Sequence, residues 1–165
     1  MPTEIEIRVM KLLTAIELTP AAADRIVEWG NEAVTVVTEA ALGAYPGLRQ
    51  KVRTNAVALL GWMDHPQAVE AIPLLVTDPN PDIAIRAIRA AGRRQLEGVV
   101  DQLIGILARP ESTPILAAEA AKALNAIGTP QAASAIDEYR AASAATLPHR
   151  MSRVVEDVLE TRRIP

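Results

Sequence analysis

Asp64 and His65 stand side by side in "GWMDHPQAVEAIPLLVTDPNPD", residues 61–82, and Glu70 follows shortly after. An acid next to a histidine can orient the ring for general-base catalysis or help it bind a metal. Either chemistry needs a third group held nearby, a nucleophile or another ligand. The only other histidine, His149 in "TLPHRMSR", is far along the chain, and there is no cysteine. The two histidines are not a metal pair at helical spacing, so His149 reads as a surface side chain. Pro66 points instead to a helix start, because proline at the first helical position loses no hydrogen bond. Asp64 is then expected to accept from the free amides of that helix, with His65 an exposed turn residue. No catalytic residue, metal ligand or cofactor site is expected.

The second stretch with chemistry in it is "IRAIRAAGRR", residues 85–94. Arg86, Arg89 and Arg93 recur at helical spacing on one face, and Arg94 adjoins them. Guanidinium groups fork onto carboxylate or phosphate, so this stripe is a candidate contact for an acidic protein surface or for nucleic acid. The plainer reading is a solvated helix face, or bridges to acids such as Asp82 and Glu97.

Charge weighs against nucleic acid. The chain is acidic overall, with a net charge of −3. Residues 1–46 hold seven acidic and three basic residues, and only the middle, 47–109, is mildly basic. Dedicated nucleic-acid binders concentrate positive charge more strongly than this.

The elements that must position these residues are helices. Half of the 165 residues are hydrophobic, mostly Ala, Val, Ile and Leu, with two Trp, two Tyr and no Phe. Small aliphatics suit closely packed helices. Prolines 20, 66, 81, 130 and 148 each precede an apolar-periodic or Ala-rich run, as at helix starts. Thr3 and Glu6 form a capping-box pattern ahead of Ile5, Val9, Leu12 and Ile16 on one face. No stretch alternates as a half-buried strand does. Without cysteines, disulfides and thiolate sites are excluded. No run of about 18 apolar residues spans a membrane, and no signal-peptide pattern is visible. The expected setting is the cytoplasm, with no membrane partner.

The chain also repeats. "VRTNAVALLG" (52–61) aligns with "IAIRAIRAAG" (83–92) and with "LAAEAAKALN" (116–125). The following helix keeps register: Val69, Ile72 and Leu75 match Val100, Leu103 and Ile106, then Ala133, Ile136 and Tyr139. Each unit is helix, turn, helix, and buries its apolar faces by stacking on its neighbours. The expected organisation is one domain over 1–165. It has an N-terminal helix (1–18), a degenerate repeat (20–43), repeats at 47–78, 79–109 and 110–142, and a C-terminal helix (147–163). That last helix, "HRMSRVVEDVLETRR", is amphipathic, a cap or a docking face for a second copy. The preceding "RAASAATLP" (140–148) reads as a short hinge or loop.

Residues 48–78 resemble a HEAT-type repeat of the phycobilisome-lyase subclass. The shared features are Val52–Arg53, Ala56, Leu60–Gly61, the Asp-x-Pro turn, "AVEAIPLL" and Asp78. The next unit keeps Ile83, Ala87, Gly92 and "PNPD" but has Ala84 in place of arginine and "RRQLEG" in place of the turn. The third keeps Leu124, Gly128 and Pro130 but has Asn125 in place of glycine. The resemblance implies an all-α fold, an α-α superhelix of helical hairpins. The function expected is a non-catalytic scaffold or adaptor whose partner is another protein. Arg86, Arg89, Arg93, Arg94, Glu70, Asp101 and Glu138 are the candidate contacts. The second helices are expected to expose Glu70, Asp101 and Ser134, then Ala71, Gln102 and Ala135, then Leu74, Gly105 and Glu138. The alternatives are an accessory subunit of a lyase-type enzyme and a nucleic-acid-binding protein related to HEAT-like DNA glycosylases. Few aromatics are present to line a tetrapyrrole pocket, as bilin attachment would need, or to stack on bases.

Overall fold

The computed structural model describes residues 1–15 and 17–146, and all regular structure among them is helical. The order is α1 (Glu4–Leu13), α2 (Pro20–Glu28), α3 (Asn31–Leu42), α4 (Gln50–Leu60), α5 (Pro66–Leu75) and α6 (Pro81–Arg94). After a 3-10 turn (Glu97–Val99) come α7 (Val100–Ala108), α8 (Pro114–Ile127) and α9 (Pro130–Thr146). This is the all-α class of helical hairpins that builds α-α superhelices. Ile16, His149 and the expected C-terminal helix (147–163) lie outside the described residues.

The helix starts follow the prolines. Pro20, Pro66, Pro81 and Pro130 are first residues of their helices, and Pro114 is a fifth case. The capping box closes both ways at α1, with Thr3 N donating to Glu6 Oε2 (2.8 Å) and Glu6 N to Thr3 Oγ1 (3.1 Å). Gly43 ends α3 in the left-handed region (φ 80°), and the Ala44 N–H reaches back to the Glu39 carbonyl at 2.9 Å. A side chain at that backbone angle would be strained, so glycine fits there. Residues 140–146 are the end of α9 rather than a hinge or loop. Their alanines favour continued helix over an exposed coil.

The chain forms two compact units, Met1–Ala90 and Ala91 onward, with α6 contributing residues to each. In the first unit α3 packs on α1, α4 and α5. Its core contains Leu13, Ile26, Leu59, Leu60, Met63 and Ile72, all fully buried. Each is worth about 1.5–3 kcal/mol relative to exposure. Asn55 on α4 is buried with them, and its Nδ2 donates to the carbonyls of Leu13 (2.8 Å) and Ala15 (3.2 Å). Those carbonyls lie at the C-terminal end of α1, where no helical partner remains. Ala71, expected on the exposed inner row, is buried at 4 %. The cause is that α5 contacts both α3 and α4, which covers more than one side of it.

In the second unit α7 packs on α8 and α9, around Leu103, Ile106, Leu124 and Ile136. Here the repeat's glycine has a steric reason. A Cβ built on Gly92 would lie 2.9 Å from the Ala123 Cα and 3.1 Å from its Cβ. Gly92→Ala would gain about 1 kcal/mol in helix propensity, but its methyl meets a backbone atom that cannot swing aside. Overpacking at about 1–3 kcal/mol should win, and we expect a lower urea midpoint for Gly92→Ala.

Candidate functional site

The Asp64–His65 pair sits at the turn into α5, and the cap is His65, one residue later than expected. His65 Nδ1 accepts from the Gln67 N–H at 3.2 Å, while Nε2 lies 3.1 Å from Asn31 Oδ1 at the start of α3. With Nδ1 accepting, Nε2 carries the hydrogen and donates to Asn31. The imidazole is therefore half-buried and occupied at both nitrogens by structural partners. Because Pro66 opens the helix, the capping position falls on the residue directly before it, whatever the capping preference of Asp64. Among the described residues no group of three His, Cys, Asp or Glu gathers as metal ligands do.

Gln67 adds a second link between the same helices, accepting from Thr35 Oγ1 at 3.1 Å. The repeat alignment gives Gln131 the equivalent place in α9, and its Nε2 donates to Asp101 Oδ1 at 2.6 Å. In both units, then, a glutamine just after the helix-opening proline fastens one second helix to the previous one. Asp101, a candidate contact residue, is exposed but already accepts this bond.

The remaining candidates are dispersed. Glu70 is exposed on α5, one turn before Leu74, itself 68 % exposed. Arg86 and Arg94 are half-buried, and Arg89 and Arg93 are exposed. Arg86 Nη1 donates to the Asp82 main-chain carbonyl at 3.3 Å, rather than to its carboxylate. Arg93 and Arg94 occupy the last turn of α6, where the helix dipole favours cations. Although Arg93 is exposed as a whole, partial desolvation of its guanidinium, and then the Arg94 charge, lowers its pKa from the usual value.

Glu138 is the candidate that borders a recess. A cavity of about 370 Å³ in the second unit is lined by Ile104, Leu107, Arg109, Ala135, Glu138 and Tyr139 among others. The sequence reading missed this cavity and Arg109, because their neighbours come from α7, α9 and the loop after α7. It also missed a polar cluster in the first unit. Tyr45 Oη lies 3.2 Å from both Glu6 Oε1 and Glu39 Oε2. Gly43 as a helix stop was the available signal, since it turns the chain so that Tyr45 comes back onto Glu39.

Two measurements check this geometry. His65→Ala should cost about 1 kcal/mol as a lost cap, whereas His65→Asn, an accepted capping residue, should retain most of it in urea unfolding. The Tyr45 phenol is pushed up to about 12 from 10.0, by burial first and then by the Glu39 and Glu6 charges. A group raised in the folded state gives stability that is complete below its unfolded pKa and lost as pH rises through the folded one. Wild type should therefore lose urea resistance relative to Tyr45→Phe between about pH 10 and 12, with a constant difference below that window.

A family model for HEAT repeats matches residues 44–118 and again 70–148. No curated protein matches the chain. No helix among the described residues is long and apolar enough to cross a membrane. The two matches overlap and together take in α4 through α9, the helices whose hairpin order and buried faces are described above. On that match, the chain belongs to the HEAT repeat family.

Proposed function

We propose that this chain is a non-catalytic scaffold or adaptor in the cytoplasm, whose partner is another protein. HEAT repeats in general serve as protein-interaction scaffolds. The observation that carries the reading is the recess of the second unit. It is apolar along Ile104, Leu107 and Ala135, and Glu138 and Arg109 bring charge of both signs to its lining. A concave apolar surface with a few charged groups seats an anchor side chain and orients it by charge-assisted hydrogen bonds. Glu70, Asp101 and the stripe Arg86, Arg89, Arg93 and Arg94 supply further charge for steering and register. In this reading the C-terminal segment 147–163 serves as a cap or as a docking face for a second copy of the chain. The alternative, an accessory subunit of a lyase-type enzyme, rests on the likeness of the 48–78 unit to the phycobilisome-lyase type.

The test is capture of a partner from the source cell by wild type, Glu138→Lys, and Arg86→Glu with Arg89→Glu. A partner held by wild type should be captured about tenfold less by each variant, a loss of about 1.4 kcal/mol. Stability should change by less than about 0.5 kcal/mol in Glu138→Lys, an exposed position. Equal capture by all three removes these residues from the interface. Duplex DNA binding is expected to be absent at physiological salt. Submicromolar binding there, falling steeply with added salt, would replace the protein scaffold with a nucleic-acid reading.

A further inference from the structure

A separate recess in the first unit, about 580 Å³, is lined by Met1, Pro2, Glu6, Ile7, Met10 and Tyr45. Its apolar part is open to water, with Ile7 57 % exposed. Its polar part is unbalanced. Glu6 and Glu39 both approach the Tyr45 hydroxyl at 3.2 Å, and one phenol has only one hydrogen to give. Whichever carboxylate lacks it at a given moment faces a like charge across the phenol oxygen. Among the described residues neither carboxylate is paired with a lysine or arginine. The nearby Arg8 stacks over the Trp29 ring, its guanidinium carbon 5.0 Å from the ring centre. Residues 1–46 as a whole carry seven acids against three bases. An apolar hollow lined by Glu6, with the Glu39 carboxylate joined to it through the Tyr45 hydroxyl, is complementary to a cation attached to an aliphatic stem.

We infer that this recess docks a partner segment carrying a lysine or arginine next to an aliphatic side chain. The cation completes the Glu6–Glu39 pair, and the aliphatic group covers Ile7 and Met10. This surface lies in the first unit and does not depend on the recess of the second.

The test uses the full chain and a fluorescein-labelled helical peptide of leucine and lysine, with a leucine–glutamate peptide as control. Saturable binding of one lysine peptide per chain is expected, weaker at higher salt, with amide shifts at Ile7, Met10 and Tyr45. Glu39→Gln keeps an acceptor for the Tyr45 hydroxyl but removes the charge, and should weaken binding about tenfold, as one charged hydrogen bond does. Ile7→Ser should weaken it further, and the glutamate peptide should not bind. Binding unchanged in Glu39→Gln, shifts confined to other helices, or no saturable binding of the lysine peptide each overturns the inference. If these occur while partner capture through Glu138 and the arginines persists, the scaffold reading stands and only this docking site is lost.

Discussion

Arg53 ties together three segments of the first unit that are distant in sequence. From α4 its Nε donates to the Ala41 carbonyl near the end of α3, at 3.0 Å, and its Nη2 pairs with Asp78 Oδ2 at 2.6 Å. Asp78 Oδ1 accepts from Asn80 N, and Asn80 Oδ1 accepts from Asp82 N in the first turn of α6, both at 2.9 Å. One cation thus anchors a relay from the end of α3, through α4, to the start of α6. The planar fork suits this task, because a lysine has no second edge to hold the carbonyl while pairing with the acid. Both side chains are mostly shielded from water, so losing either would leave the other's charge poorly solvated.

This anchor explains why hairpins with modest apolar faces hold a defined arrangement. Alanine-rich helices approach closely but offer little shape to fix their register. Directional polar bonds supply it: Arg53 at the first-helix row, and Gln67 and Gln131 between second helices. In the second unit the same small side chains, Ala117 and Ala135 among them, leave room for the recess where longer residues would have filled the space.

The helix pattern was legible in the sequence because its signals are local. Prolines marked the starts, Thr3 and Glu6 closed the box they spelled, and Gly43 and Gly128 ended helices in the left-handed conformation. The departures from the sequence pattern also have physical causes. Side-chain preference points to Asp64 as the cap preceding α5, but Pro66 fixes the position at His65. A single buried face would leave Ala71 outside, but α5 has two neighbours and buries it. Candidate contact residues could be recognised by charge. The recess beside Glu138 and the Glu6–Tyr45–Glu39 cluster could not, since each depends on which helices become neighbours.

The bond from Asn55 to the end of α1 has a consequence for how that helix opens. Its first turn has its own capping box, a contact spanning three residues, besides side-chain bonds from Thr3 to Glu32 and from Tyr45 to Glu6, while the Leu13 carbonyl at its last turn relies on a side chain 42 residues away. The two ends therefore belong to different levels of the energy landscape. The capping box itself can form locally. The last turn gains its full hydrogen bonding only once α4 is in place, so that end should exchange its amide hydrogens in concert with α4 rather than by fraying.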